Sequence, residues 1–205
     1  MAHGKTLLVA LFALVTPVLL LAQHSHDSGS MKSKSKVSDA DKIANAMSAG
    51  PAAITKNAAI MDWPVTADGQ PRQLRAGNNG WVCFPETAIH MPGATDPMCM
   101  DKQWQAWGDA WFGKTEPKLT GTGVAYMLRG DKGASNTDPF ATEQTADNHW
   151  VVTPPHVMVI YPDTKMLDGF SDDPASGGPW VMWKGTPYAH LMVPVSTTKV
   201  ATQPK

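Results

Sequence analysis

Residues 180–195 read WVMWKGTPYAHLMVPV, two apolar segments joined by the turn-like sequence KGTP. Alternation along the second segment places His190 and Met192 on one face of an extended strand. The opposite face is a continuous apolar surface formed by Ala189, Leu191, Val193 and Val195. This alternation is typical of a strand with one face in a core, and Gly and Pro favour a turn before it. The stretch therefore predicts a hairpin.

Strand-like segments also precede this hairpin and predict the fold class. GVAYML, HWVV and PHVMVIY are separated by loops rich in Gly, Pro, Asp and Asn. Between Ala58 and Phe84, three short segments are separated by Asp-Gly and Asn-Gly, which are typical of hairpin turns and predict an antiparallel meander. Strands do not alternate with helices. We therefore expect an α+β fold, with a mostly antiparallel sheet and two or three short helices in one domain.

Two helices are predicted from capping and periodicity. Ser38, with Asp41 three residues later, resembles a capping box at the start of a helix that Gly50-Pro51 ends. A second helix follows Asp101, and its tryptophans at positions 104, 107 and 111 fall within an arc of about 60 degrees. A tryptophan stripe of this kind favours packing in the core, with a sugar-stacking platform as the alternative.

Composition limits the function classes. The chain has 205 residues, 42% of them apolar and 17% charged, with a net charge of -1. Such a chain is long enough for one globular domain, and its near-neutral charge gives no electrostatic basis for nucleic-acid binding. No nucleic-acid partner is therefore expected.

The amino-terminal residues predict export. Lys5 precedes an apolar run over residues 7–22, which is typical of a secretory signal peptide. We expect a signal peptide at 1–22, a flexible Ser/Lys-rich linker at 23–37, the domain at 38–195 and a disordered tail at 196–205. The mature protein would have no membrane span and would be periplasmic or secreted, whereas an uncleaved signal would act as an anchor.

The two cysteines, Cys83 and Cys99, predict one disulfide in an oxidising compartment. The segment between them contains three prolines, so we expect it to hold its conformation poorly without a covalent cross-link between its ends. A soft metal site formed by both cysteines with His90 and Met98 is the alternative.

Most of residues 39–195 resembles a group of uncharacterised bacterial secreted proteins. The likeness is carried by GNNGWVCFP, DPMCMDKQWQAW, SNTDP and WVMWKGTPYAHLMVPV. It implies bacterial export and a single shared domain. It implies no activity, cofactor or catalytic residue.

The sequence His-x-Met occurs twice, as His156 with Met158 and as His190 with Met192. Each pair lies on one face of its strand because side chains alternate. If the strands pair antiparallel, a register with His156 opposite Met192 also sets Met158 opposite His190, with about 4.5 to 5.5 Å between opposed Cβ atoms. Two imidazoles and two thioethers would then converge.

This face supports two binding hypotheses. Thioethers and imidazoles suit Cu(I), with His156, Met158, His190 and Met192 as ligands. A pocket for a small organic ligand, lined by His156, His190, Trp183 and Tyr188, explains the aromatic side chains without a metal and is preferred slightly.

Other interpretations stay open. A hydrolase-like enzyme would use one of the domain's histidines, His149, His156 or His190, as acid or base, with Asp147, Asp163, Asp172 or Asp173 to orient it, but Ser135 has no activating neighbour. The amino-terminal His24 and His26 form a weak metal motif. A structural envelope protein is expected if the His-Met face only packs in the core.

Overall fold

A computed structural model describes Met1 and residues 37–66, 69–87 and 96–202. The predicted signal peptide, all of the predicted linker except Val37, and the side chains of His24, His26 and His90 lie outside these ranges. Among the described residues, no helix has the length and apolar character needed to cross a membrane.

The elements are few helices and many short strands, so the predicted α+β class is confirmed. The helices are α1 (Asp39–Met47), α2 (Ala52–Thr55) and α3 (Lys102–Phe112), with short 3₁₀ helices at Thr164–Leu167 and Pro174–Ser176. The first strands are β1 (Ala59–Asp62), β2 (Arg72–Arg75), β3 (Val82–Phe84), β4 (Met98–Met100), β5 (Gly123–Met127) and β6 (Ala134–Ser135). The later strands are β7 (Trp150–Val152), β8 (His156–Ile160), β9 (Trp180–Met182), β10 (His190–Pro194) and β11 (Ala201–Thr202).

Eight strands form one large sheet in the order β2-β1-β3-β4-β5-β8-β10-β9. Its pairs are antiparallel except β1 with β3, which run parallel. The antiparallel pairing predicted within residues 58–84 is confirmed for β1 with β2, but the meander is wrong at β3, which pairs with β1 and not with β2. Burial explains the difference: Cys83 and Phe84 are buried, so β3 takes an interior position. The charged strand Arg72–Arg75 lies at the sheet edge, where charge discourages further pairing.

A small sheet, in the order β11-β7-β6, accompanies the large one. Ala201 and Thr202 pair with Val152 and Val151. The prediction of a disordered tail over residues 196–205 is therefore wrong for these two residues. Two residues of strand carry too little alternation to be recognised in a sequence.

Both predicted helix starts are confirmed. The Ser38 side chain accepts a hydrogen bond from the backbone N–H of Asp41, and the Asp101 side chain accepts one from the backbone N–H of Trp104. These bonds satisfy N–H groups that the first turn of a helix leaves unpaired. Asp101 also accepts from the N–H of Val124 at 2.7 Å, which fixes the start of α3 against β5.

The two faces of the large sheet carry different cores. The three tryptophans of α3 are buried in one core cluster, which also contains Met98, Met127, Met158, Met182 and Met192. The opposite face carries two aliphatic clusters, one beneath α1 around Ile60 and one around Leu191. The methionine-bearing face is therefore covered by indole rings, and the prediction that the stripe packs in the core is confirmed.

Cys83 and Cys99 form the predicted disulfide. They lie directly opposite each other on the adjacent strands β3 and β4, and both are fully buried. The bridge therefore joins the interior of the sheet across the segment that contains the three prolines.

Thiol labelling of the denatured, unreduced protein should detect no free thiol. Prior reduction should expose two thiols and lower the free energy of unfolding by roughly 3 kcal/mol, as the entropy of closing a loop of about 15 residues implies. Two labelled cysteines without reduction would contradict the bridge.

Replacing Trp107 with Ala should lower the free energy of unfolding by roughly 3 to 5 kcal/mol, because a large buried side chain leaves a cavity. Phe112→Ala is the matched control on the same helix, since Phe112 is 55% exposed. Its effect should stay below about 1 kcal/mol. Equal effects in chemical denaturation would show that the stripe does not anchor α3.

Candidate functional site

The two His-x-Met strands, β8 and β10, are antiparallel neighbours in the large sheet. Met192 lies opposite Met158, and Pro194 lies opposite His156. The predicted register, with His156 opposite Met192 and Met158 opposite His190, is therefore wrong by two residues. A shift of one residue would reverse the faces, whereas a shift of two preserves them. Both His-x-Met pairs consequently share one face of the sheet.

This register gives the strand pair a local twofold axis, perpendicular to the sheet between Met158 and Met192. Rotation about this axis exchanges the two His-x-Met pairs, because each histidine precedes its methionine by two residues. The flanking strands extend the relation: β5 sets Met127 opposite His156, and β9 sets Met182 opposite His190. Each histidine thus has one methionine on its own strand and one directly across.

We name the two sets group A and group B. Group A comprises Met127, His156 and Met158, and group B comprises Met182, His190 and Met192. The two histidines lie four residues apart along the strand direction, since His156 is opposite Pro194. At about 3.3 Å per residue, this separates their Cα atoms by about 13 Å along the strand direction. The four predicted metal ligands are therefore divided between two groups.

His156 is held by its own backbone and leaves one ring nitrogen unused. Its Nδ1–H donates to the carbonyl oxygen of Pro154 at 2.8 Å, so Nε2 carries the lone pair. Nε2 is buried and has no hydrogen-bond partner among the described residues. The side chain has no solvent exposure. A buried acceptor without a donor is uncommon in folded proteins. It marks either a place that a ligand occupies or a place where the protein tolerates the free-energy cost of an unpaired polar atom.

The ring of His190 is held by the same kind of hydrogen bond to its own backbone, but aromatic side chains surround it. Its Nδ1–H donates to the carbonyl oxygen of Tyr188 at 3.0 Å. Its ring lies nearly perpendicular to the indoles of Trp104, Trp107 and Trp183, with centroids 5.4, 5.7 and 5.0 Å away. Three indoles therefore enclose group B on the side of α3 and the β9–β10 connection.

Burial keeps both imidazoles neutral. It lowers the pKa of His156 from the ordinary 6.5 to about 4, against the opposing hydrogen bond to Pro154. It lowers the pKa of His190 to about 4 as well, and the nearby His156 contributes to this shift. A neutral imidazole offers a lone pair at pH 7 but does not exchange a proton there. This suits a ligand better than an acid or base.

Trp183 reaches the face in a strained backbone conformation, with φ at 56°. Its N–H donates to the Asn136 carbonyl at 2.9 Å and its Nε1–H to the Ser135 carbonyl at 2.7 Å. Asn136 also accepts from Trp180 Nε1 at 3.1 Å through its side-chain oxygen. The loop around residue 135 therefore fixes two tryptophans of the large sheet. Ser135 itself is occupied in this loop, because its hydroxyl donates to the Asn148 carbonyl at 2.6 Å.

The four residues predicted to line an organic pocket are all buried, with exposures of 6% or less. Two adjoining clefts, of about 350 and 230 Å³, share Glu116, Thr164, Pro187 and Ala189, and the smaller one is also lined by Trp107. Neither is lined by His156, His190, Trp183 or Tyr188. An organic molecule would have to displace packed side chains to reach those four, so the organic pocket stays a prediction.

The remaining predicted acid and base residues have structural contacts. Asp163 and Asp173 cap the two 3₁₀ helices by accepting from backbone N–H groups. The carbonyl of His149 accepts from the N–H of Asn136 at 3.0 Å. The described residues include no group of three or more His, Cys, Asp or Glu side chains arranged to hold a metal ion. Any metal site on this face therefore depends on thioethers.

Sequence reasoning missed three residues of interest. Met127 and Met182 lie opposite the histidines only through strand pairings that the sequence does not state. Asp131 is the third: burial raises its pKa to about 7, and the neighbouring Asp96 adds to the shift. Its carboxylate accepts from the N–H of Thr153 at 3.2 Å. No sequence signal pointed to this carboxyl.

Comparison of the chain with known protein families, curated proteins and solved structures found no match.

The metal-free protein should lose stability as the pH falls from about 6.5 to about 4. In this window the unfolded state protonates His156 and His190 while the folded state does not, so folding stability falls by about 3 kcal/mol for each histidine. Asp131 opposes this loss, because its raised pKa makes the folded state bind a proton more readily than the unfolded chain. Urea denaturation at several pH values measures the net slope.

Asp131→Asn removes the opposing contribution and should steepen the loss of stability between pH 7 and pH 4.5. His156→Gln should make the loss shallower. Identical slopes in the wild type and both variants would contradict the assignment of these groups.

Proposed function

We propose that the mature, exported protein binds Cu(I), and that group A is the site. The observation that carries this proposal is the buried Nε2 of His156, which has a free lone pair and no partner among the described residues. Met158, two residues along the same strand, and Met127, directly across on β5, share its face of the sheet and would supply two thioethers.

An unpartnered buried acceptor costs about 1 to 3 kcal/mol of folding free energy. A proton does not remove this cost at neutral pH, because burial holds the pKa of His156 at about 4. A metal ion does remove it, since coordination uses the same lone pair. A small cation bound at Nε2 would therefore remove this free-energy cost. Such an ion needs no large cavity.

The donor set selects the class of metal. Thioethers and a neutral imidazole are soft to borderline ligands, which suit Cu(I), whereas Ca²⁺ and Mg²⁺ require oxygen ligands. Carboxylates are absent from group A, so the site adds no negative charge to the core. A monovalent soft ion is the cation that such an uncharged set accommodates best.

The backbone anchor of His156 also fits a ligand role. Metal-binding histidines commonly donate their second ring N–H to a carbonyl or carboxylate, which fixes the tautomer and the ring orientation. The hydrogen bond from Nδ1 to Pro154 does this and directs Nε2 away from the backbone. The imidazole is thus preorganised before any ion arrives.

Export is part of the proposal. The amino-terminal apolar run supports a signal peptide. The buried disulfide supports an oxidising compartment such as the periplasm or the extracellular space. The organic-ligand and enzyme interpretations have no comparable observation in their favour. Burial of the His-Met face fits the structural interpretation, but that interpretation leaves Nε2 of His156 without a partner.

Met127→Leu combined with Met158→Leu should abolish tight Cu(I) binding at group A while leaving the fold intact, because Leu keeps the apolar volume and lacks the sulfur. Competition with a chromogenic Cu(I) chelator under anaerobic conditions measures the affinity. Native mass spectrometry gives the number of ions bound.

Met166→Leu is the matched control, since Met166 is 60% exposed and lies in a 3₁₀ helix outside both groups. It should bind Cu(I) as the wild type does. A wild-type protein that binds no Cu(I) under these conditions would refute the proposal, and so would a double variant with unchanged affinity.

A further inference from the structure

We infer that group B is a second Cu(I) position, so that the protein holds two ions on one sheet face. This inference rests on the proposed function for the type of metal. Its residues, Met182, His190 and Met192, are different from those of group A.

The first argument is the local twofold axis between Met158 and Met192. The axis carries each element of group A onto one of group B, namely a histidine, the methionine two residues later and the methionine directly across on the outer strand. Group B therefore repeats the arrangement of one imidazole and two thioethers that is proposed to bind a soft ion at group A. The strand contexts differ where Ala125 lies opposite Met158 and Trp180 lies opposite Met192.

The second argument is the state of the His190 ring. Its Nδ1–H donates to the Tyr188 carbonyl two residues earlier, just as the His156 ring donates to Pro154. Nε2 of His190 therefore carries a lone pair. The residue as a whole is 2% exposed.

The third argument is the aromatic wall of group B. The centroids of Trp104, Trp107 and Trp183 lie within 5.7 Å of the His190 ring centroid. A cation within about 6 Å of an indole face is attracted by the ring quadrupole, most strongly where water is excluded. The indoles thus add attraction for a monovalent cation that lacks a carboxylate partner.

The wall also distinguishes the two positions in an experiment. His156 makes no contact with an aromatic ring among the described residues, whereas His190 contacts three indoles. Occupation of group B should quench tryptophan fluorescence strongly, and occupation of group A should not. Stoichiometry and fluorescence therefore report on separate events.

The test is an anaerobic titration of the full mature protein with Cu(I), followed by native mass spectrometry and tryptophan fluorescence. The wild type should bind two ions and lose much of its fluorescence. Met182→Leu with Met192→Leu should bind one ion with little quenching. Met127→Leu with Met158→Leu should also bind one ion but keep the quenching. Met166→Leu should behave as the wild type.

The outcomes separate the inference from the proposed function. Two bound ions with quenching lost only in the Met182/Met192 double variant support both. One bound ion that is unaffected by changes in group B refutes a second position and leaves group A standing. One bound ion that is lost only with the group B changes refutes group A as the site. A wild type that binds no ion refutes both.

Discussion

Three indole rings of α3 pack on the methionine-bearing face of the sheet, where two of them contact the ring of His190, and this packing sets the chemistry beneath them. The helix approaches closely because Gly123 has no side chain: a Cβ there would lie 2.7 Å from Cβ of Gln103 and 2.8 Å from Cγ1 of Ile160. Such distances are too short for carbon atoms. The close approach of α3 helps to bury the face, and burial is why both imidazoles are neutral.

Several features follow from local chemistry and could be predicted from the sequence. Helix caps at Ser38 and Asp101 depend on residues three positions away, and the tryptophan stripe depends on residues three and four positions apart in one helix. Strand alternation correctly placed both His-x-Met pairs on one face. The disulfide followed from the presence of two cysteines and an export signal.

Features that depend on distant pairing could not be predicted in this way. A two-residue shift in the register of β8 and β10 keeps every side chain on its face, so alternation permits both registers. The parallel pairing of β1 with β3 depends on which strand buries more surface in the sheet interior. Met127 and Met182 lie opposite the histidines on neighbouring strands, so only the observed strand pairing identifies the complete candidate ligand sets.

The bonds from residues 135 and 136 to Trp180 and Trp183 have a consequence for how the protein opens. Ser135 belongs to β6 of the small sheet, whereas Trp180 belongs to β9 at the edge of the large one. Opening of β6 alone would leave buried indole N–H groups without acceptors. The small sheet therefore cannot come apart as an independent foldon, and its amides should exchange with solvent only in the same cooperative event that opens β9.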